Sequence, residues 1–269
     1  MEFTTRGKAK KQTGVNYLGN INSSAKLIKN EKVSENYTYV IYLSPANQSG
    51  YNVCPFSTPE CRLGCLATSG RAKIERWANM DVIQKARLIK TKLLFENEEF
   101  FMRLMVAEMK AYQKKAKLDG YYFSARLNGT SDIDWETIKI DGKNIFEIFP
   151  EVQFYDYTKS YKKIVDNRVK NYHLTYSYTG RNTAKCIKVL RAKKNIAIIF
   201  NIPKNQAYPK TWNGFKVING DRTDFRPYEG DGVVVGLKWK NIADRKMNET
   251  IRASCFVEQV VSLKISKFV

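Results

Sequence analysis

Short apolar runs recur through the second half of the chain, and a polar segment follows each of them. The runs occupy residues 121–127, 152–157, 172–176, 196–202, 215–218 and 233–237. Several of the intervening segments, such as residues 183–194, have a helix-forming composition. Strands that alternate with helices indicate βαβ units and a mainly parallel sheet. This many units predicts an α/β fold with a (β/α) barrel-like sheet, complete or incomplete. An open doubly wound sheet is the alternative.

The first half of the chain contains one clear strand, a cysteine-rich loop and two helices. Residues 37–43 are aromatic and β-branched, which is typical of a buried strand. The cysteine loop follows at residues 54–70, and residues 72–95 form a helical pattern without glycine or proline. Asn97 is placed to cap the next helix and Gly120 to end it. These elements predict an N-terminal β and cysteine-loop extension in front of the barrel-like part.

The chain is predicted to form a single α/β domain behind a basic N-terminal arm. Residues 1–15 are polar and basic and are expected to be solvated, whereas residues 16–269 contain no segment typical of a linker. No apolar run approaches the about 20 residues that a membrane helix needs. The N-terminus also lacks the apolar core of a secretory signal. These features predict a cytoplasmic protein without a membrane partner.

The composition adds a strong positive charge to this picture. Among 269 residues there are 46 Lys and Arg against 26 Asp and Glu, which gives a formal net charge of +20. A surface of one sign attracts polyanions, so DNA or RNA is the expected partner. A coding bias toward lysine and contact with an anionic membrane surface are alternative explanations of the same charge.

Charged and hydroxyl side chains follow most of the apolar runs. In a parallel α/β fold the carboxyl ends of the strands meet at one face, where active sites form. The candidate catalytic residues are Asp132, Asp156, Lys159, Asp221 and Asp224. The candidate substrate-binding residues, suited to phosphate or carboxylate groups, are Arg126, Asn128, Ser177, Arg226 and Lys238. The alternative for any single Asp or Asn is that it caps a following helix or turn.

Several common catalytic devices are absent from the sequence. His173 is the single histidine, which excludes a multi-histidine zinc or iron site. No Walker loop, Gly-x-Gly-x-x-Gly fingerprint or Gly-x-Ser-x-Gly elbow occurs. Candidate chemistry therefore depends on carboxylates, cations and thiols.

The most specific chemical signal is a group of cysteines. Cys54, Cys61 and Cys65 lie in one loop, although the chain has only 5 cysteines. In a reducing compartment, thiols so close in sequence are expected to be ligands rather than disulfides. Three thiolates suit a [4Fe–4S] cluster whose open iron binds a substrate or S-adenosylmethionine. This is the general layout of radical-SAM enzymes, although the cysteine spacing departs from theirs.

A zinc site and the absence of any metal are the alternatives to a cluster. Zinc is usually held by four protein ligands when the site is structural. Cys255 is the better candidate for a fourth ligand, because Cys186 lies within a helical segment and is expected to be an ordinary buried thiol. For an iron–sulfur cluster the fourth ligand stays open between Cys255, a carboxylate, water and a small molecule.

Several short motifs together resemble one protein family. They cover Cys54–Arg71, Arg126–Asp132, Phe154–Lys159, Asn171–Ser177 and Gly220–Arg226. On these residues the chain resembles, over roughly positions 37–257, the gene-product-88-like proteins of tailed phages, plasmids and other mobile elements. The resemblance implies a mobile-element protein in the cytoplasm of a bacterial host, whose cysteines and strand-end residues act together. Lys238-Trp239-Lys240 departs from the family, where small residues are usual.

The sequence thus yields two hypotheses. The first is an iron–sulfur enzyme that acts on nucleic acid or on a nucleotide-derived substrate. The second is a non-catalytic nucleic-acid-binding protein in which a metal stabilises a long loop. The first requires the three thiols and the charged strand ends to share one pocket.

Overall fold

The computed structural model describes residues 6–21, 25–65, 82–242 and 244–260. The second part of the predicted cysteine loop and the beginning of the predicted helix 72–95 lie outside the described residues. Within the basic arm, residues 6–13 form a helix on which Lys8 and Lys11 are exposed. None of the helices in the described ranges combines the length and apolarity needed to cross a membrane.

Helices and strands alternate through most of the chain. The helices are α1 (Arg6–Thr13), α2 (Ala25–Ser34), α3 (Pro59–Leu63), α4 (Val82–Glu96), α5 (Glu98–Asp119), α6 (Ile145–Ile148), α7 (Tyr161–Asp166), α8 (Thr183–Arg191) and α9 (Arg245–Arg252). The strands are β1 (Gly19–Asn20), β2 (Asn36–Ile41), β3 (Tyr122–Arg126), β4 (Lys139–Ile140), β5 (Lys143–Asn144), β6 (Gln153–Thr158), β7 (Tyr172–Ser177), β8 (Ile196–Asn201), β9 (Thr211–Trp212), β10 (Phe215–Asn219), β11 (Val234–Lys238) and β12 (Glu258–Gln259).

One sheet of 10 strands organises the molecule, in the order β1-β2-β3-β6-β7-β8-β11-β10-β9, with β12 paired to β8. The pairs from β2 to β10 along this order are parallel. The end strands β1 and β9 join it antiparallel. From β2 to β8 the strands follow chain order without reversal. The predicted α/β class with a mainly parallel sheet is confirmed, and the described residues form no closed barrel.

Helices α5, α7 and α8 cover one face of this sheet. Helix α5 begins at Asn97, whose side chain accepts a hydrogen bond from the Phe100 amide (3.2 Å), and it ends at Gly120, where φ is 77°. Both ends are as predicted. Helix α5 packs against β2 and β3, and α7 and α8 pack against β7. The strands contribute buried apolar side chains to this layer, namely Tyr39, Ala125, Phe154, Leu174 and Ile198.

The opposite face of the sheet is polar. Side chains of a strand alternate between the two faces, so the strand register assigns each residue to a side. Thr38, Ser124 and Arg126 share this face with the side chains of β6 and β7 that follow in register, namely Tyr155, Tyr157, His173 and Thr175. The Asn30 amide of α2 donates to Thr38 (3.1 Å), whose hydroxyl lies 3.0 Å from that of Ser124. We call this side the polar face.

Candidate functional site

The cysteine loop is fixed to the segment that follows β3. The Asp132 amide donates to the Val53 carbonyl (2.8 Å), and the Thr130 hydroxyl donates to the Leu43 carbonyl (2.6 Å). The Cys54 thiol donates to the Thr130 carbonyl at 3.5 Å. These contacts hold the loop over the carboxyl ends of the parallel strands.

A short helix positions the second cysteine of this loop. Thr58 caps α3 by accepting from the Cys61 amide (3.2 Å), and Pro59 stands in the first turn, where its missing N–H costs nothing. The backbone of Gly64 ends the helix, beside the ring of Trp239. Cys61 itself packs against a small apolar cluster that includes Ile251 and Phe256.

Cys54, Cys61 and Cys65 are free and partly buried, and they lie within electrostatic reach of one another. Burial is the main cause that raises the pKa of Cys54 to about 11, and the neighbouring Cys65, Cys61 and Asp132 raise it further. No three metal-ligating side chains in the described residues are grouped closely enough for a single metal ion. The three thiols are therefore partly buried neighbours that do not surround a common point in this structure.

Lys159 links these thiols to the sheet. It follows β6 directly, and its amine lies close enough to the Cys61 thiol for the two to interact electrostatically. Burial lowers the pKa of Lys159, but Cys61 and Asp132 raise it by more, so the pKa lies above its ordinary value. A positive charge is thus held against the cysteine loop.

Asp132 holds the end of β6 in place. Its carboxylate accepts from the Thr158 hydroxyl (2.8 Å) and from the Lys159 amide (2.9 Å), and the Lys163 amine lies 3.5 Å away. Lys163 also donates to the Ile133 carbonyl (2.7 Å). Asp132 is therefore beside the thiols and orients the strand end that carries Lys159.

Asp156 and Asn128 form a buried connection between β3 and β6. The Asn128 amide donates to Asp156 (2.9 Å), and the Tyr172 hydroxyl donates to the other carboxylate oxygen (3.1 Å). Burial is the main cause that raises the pKa of Asp156 to about 7. The Asn128 side-chain oxygen accepts from Ser131 and Trp135, at 2.7 and 3.2 Å, and so holds the turn after β3.

A second charged group lies on the polar face. The Arg126 guanidinium donates to Asp224 (2.8 Å) and stands 5.0 Å from the centre of the Tyr157 ring. Arg226 is fully buried at 0 % exposure; it pairs with Glu229 and donates to the Gly220 carbonyl (2.7 Å). Burial lowers the pKa of each arginine, but the acidic neighbours outweigh it, so both stay charged.

Asp221 and Lys238 organise a different loop. The Asp221 carboxylate accepts from the Tyr208 hydroxyl (2.6 Å) and from the Lys238 amide (3.1 Å). The Lys238 amine donates to the carbonyls of Lys204 and Gln206, both at 2.6 Å. These contacts hold the segment between β8 and β9.

The remaining predicted site residues, Ser177 and Cys255, lie at the carboxyl end of β7 and in the C-terminal segment. Ser177 is buried at the end of β7, where its carbonyl accepts from the Asn182 side chain (3.0 Å). Cys255 is exposed and interacts electrostatically with the Arg181 guanidinium, which also pairs with Glu60 of α3 (2.8 Å). Arg181, which is beside Cys255, therefore connects this residue to α3, the helix of Cys61, through its ion pair with Glu60.

Cys186 lies in a different environment from the loop cysteines. It is fully buried within α8, and burial raises its pKa to about 12. The structure thus places it, as expected, in the core as an inert thiol.

Sequence reasoning missed several residues of this region. Lys163 and Thr158 contact Asp132, and Tyr157 and Thr175 lie side by side on the polar face. The period of two in residues 152–157 and 172–176 was a usable signal, because it places Tyr157 and Thr175 on the face opposite the apolar side chains. No comparable signal in the sequence points to the contact of Arg181 with Glu60.

Comparison with known proteins identifies one family. The family described as Gene product 88 matches residues 4–254, which confirms the resemblance drawn from the motifs. No curated protein matches the chain, and no solved structure does.

Proposed function

Because the chain belongs to the Gene product 88 family, whose cysteine and strand-end motifs it carries, we propose that it is an iron–sulfur enzyme. Cys54, Cys61 and Cys65 would hold an open-site [4Fe–4S] cluster. One observation supports this most strongly: the Lys159 amine lies beside the Cys61 thiol and Asp132, and within electrostatic reach of Cys54. Cysteines of the loop and polar residues of the strand ends are thus neighbours.

The donor set suits such a cluster chemically. Soft thiolates favour iron–sulfur clusters and zinc over hard cations. When bound, a [4Fe–4S] cluster with one iron free of cysteine supplies electron transfer and a coordination position for S-adenosylmethionine or a substrate. Zinc is the alternative metal, and Cys255 would then be the fourth ligand, brought near by the Arg181–Glu60 pair.

The protein's own residues have separable roles in this proposal. The Lys159 ammonium offsets the negative charge of neighbouring thiolates, which would otherwise repel each other. Asp132 orients the backbone that carries this lysine. Asp156, with a pKa of about 7, is suited to hold or release a proton near neutral pH. Asp221 and Asp224 remain candidate acid–base residues, and Asn128, Ser177 and Lys238 remain candidate contacts of the substrate.

The proposed substrate is nucleic acid or a nucleotide-derived molecule in the cytoplasm of a bacterial host. The net charge of +20 supports a polyanionic partner. The unreversed strand order from β2 to β8 supports a barrel-like sheet, in which the carboxyl ends of the strands form one active-site face. The same charge is also compatible with a non-catalytic nucleic-acid-binding protein whose metal only stabilises the loop.

The metal is tested by purification without air. We expect a brown protein that contains iron and acid-labile sulfide and has the visible absorption of thiolate-ligated iron. Cys54→Ser, Cys61→Ser and Cys65→Ser should each lose most of the iron, whereas Cys186→Ala, a substitution of the buried thiol of α8, should retain it. If the fourth iron is free of cysteine, Cys255→Ser should retain the cluster. If Cys255 is the fourth ligand, Cys255→Ser should lose it.

Two outcomes would contradict the cluster. A colourless protein with stoichiometric zinc would favour the structural-metal alternative. A folded, metal-free protein after anaerobic expression with iron and sulfide would show that the thiol trio does not hold a cofactor.

A further inference from the structure

The polar face of the sheet contains buried hydrogen-bonding atoms that no group in the described part of the chain satisfies. They are the Arg126 and Arg226 Nε atoms, the Thr175 hydroxyl oxygen and the His173 Nε2 atom. Arg226 and Thr175 are both 0 % exposed. A buried donor without a partner is destabilising, so several on one face call for an explanation.

Three of these atoms surround a single side chain. Arg126 stands over the Tyr157 ring, and Arg226 interacts electrostatically with the same phenol. Thr175 is the register partner of Tyr157 on β7, and it therefore lies next to Tyr157 on the same face. The unbonded atoms of Arg126, Arg226 and Thr175 thus converge on the neighbourhood of Tyr157.

This part of the polar face is covered by chain that is fixed from two sides. The Asn30 oxygen of α2 accepts from the Thr223 hydroxyl (2.6 Å) and from the Asp224 amide (2.7 Å). The Phe225 ring packs edge-on against Tyr155, with 5.4 Å between ring centroids. The segment after β10 is therefore fixed against the polar face at Asn30 and Tyr155 rather than forming a loose loop.

The chemistry of the unbonded atoms selects the ligand. An arginine Nε–H is an obligatory donor, and a threonine hydroxyl can donate, so the ligand must bring acceptor oxygens. Asp224 and Glu229 already offset the charges of Arg126 and Arg226. A singly charged carboxylate therefore fits better than a phosphate dianion, which would be repelled by both acidic side chains.

We propose that the polar face holds a buried pocket for the carboxylate group of a small molecule, bounded by Arg126, Thr175 and Arg226 around Tyr157. The pocket lies against β6, the strand that Lys159 follows. The assignment of its ligand as a substrate rests on the proposed enzymatic function, but the binding itself does not.

Two matched threonine variants test the pocket. Thr175→Val removes an unbonded hydroxyl, so the free protein should keep its Tm or gain slightly. Thr38→Val removes a bonded hydroxyl from the same face and should lower Tm. Acetate and benzoate, at constant ionic strength, should raise the Tm of the wild type and of Thr38→Val by a few degrees. The rise should be at least halved in Thr175→Val.

Ligand controls and a second variant complete the test. Phosphate at the same ionic strength should give a smaller shift than acetate. Arg126→Lys, which keeps the charge but removes Nε, should weaken acetate binding at least fivefold by calorimetry. Arg103→Lys, on the exposed face of α5, should not.

The same titration on Cys61→Ser separates this proposal from the cluster. An unchanged carboxylate response there would show that the pocket needs no metal, so failure of iron loading leaves this proposal standing. The pocket is refuted if neither carboxylate raises Tm, which would mean that buried water alone satisfies these atoms. It is also refuted if Thr38→Val and Thr175→Val reduce the response equally.

Discussion

Asp156 is a carboxyl group that the fold holds where its charge is costly. It is almost fully buried and accepts hydrogen bonds from the Asn128 amide and the Tyr172 hydroxyl. Burial raises its pKa to about 7, well above the ordinary 3.8 of the unfolded chain. The folded protein therefore binds one more proton than the unfolded chain between these pH values. The stability contributed by Asp156 falls over this range and is lost once the pH has risen past about 7.

Asp156→Asn should remove this pH dependence. The amide is nearly isosteric, can still accept from Asn128 and can donate to the Tyr172 oxygen. The free energy of unfolding of the wild type, measured with urea from pH 5 to pH 9, should decline relative to that of the variant. The variant should be the more stable protein at pH 9, by an amount on the order of a few kcal/mol.

Asp134→Asn is the control for this comparison, because Asp134 is an exposed carboxylate in the segment that follows β3. It should leave the difference from wild type constant across the pH range. A constant difference for Asp156→Asn as well would show that the carboxyl titrates normally in the folded protein.

At the scale of elements, the turn after β7 approaches the Cys255 segment closely, and this approach depends on Gly180. This residue follows β7 with φ at +82°, and an added Cβ would stand 2.1 Å from the Cys255 carbonyl oxygen. Only glycine permits both the left-handed backbone and this close approach. The contact places the Cys255 segment beside Arg181 and thereby beside α3.

Gly180→Ala should destabilise the protein more than a substitution that adds backbone strain alone. Gly214 has the same φ of +82° but no atom within 4 Å of its would-be Cβ. Gly214→Ala should therefore cost about 1–2 kcal/mol, and Gly180→Ala should cost an additional 1–3 kcal/mol, about the usual penalty of overpacking. Urea unfolding of both variants checks the difference. Equal losses would mean that the Cys255 segment moves away without cost.

Helices and strands were predictable from the sequence where residues close together in the chain determine them. The apolar runs gave the parallel strands within about two residues, and Asn97 and Gly120 gave the ends of α5, because caps and β-branched runs act through neighbouring residues. The order of the sheet and the partners of each polar side chain were not readable. Arg126 and Asp224 pair across 98 positions, and no local pattern encodes that contact.

The same limit explains the outcome for the site. The sequence pointed to the thiols and to the strand-end residues, and the structure brings Cys54, Cys61, Asp132 and Lys159 together. It could not separate Asp132, which is buried beside them, from Asp221, which contacts Tyr208 and Lys238. Whether a strand-end residue is buried depends on which other segments pack over it, and the whole fold determines this.

At the scale of the molecule, the net charge of +20 bears on where a nucleic acid would bind. Helix α9 lies against α3, the helix of Cys61, and carries the exposed Arg245 and Lys246. Helix α5 carries the exposed Lys114 and Lys117 on its outer surface. If a nucleic acid binds at the proposed active site, the basic residues of α9 should contribute more to its affinity than those of α5.

The paired variants Arg245→Gln/Lys246→Gln and Lys114→Gln/Lys117→Gln remove the same charge from these two helices. Wild-type affinity for single-stranded and duplex DNA and RNA should fall steeply with salt, because each phosphate contact releases counterions. The α9 pair should reduce the slope of log K against log salt by up to about two for duplex DNA, and the α5 pair should leave it nearly unchanged. Titration by fluorescence anisotropy at several salt concentrations measures both slopes. Equal effects of the two pairs would indicate diffuse attraction by net charge without a defined path to the cysteines. Absence of binding at low salt would exclude nucleic acid as the partner and leave a small nucleotide-derived molecule as the substrate to be sought.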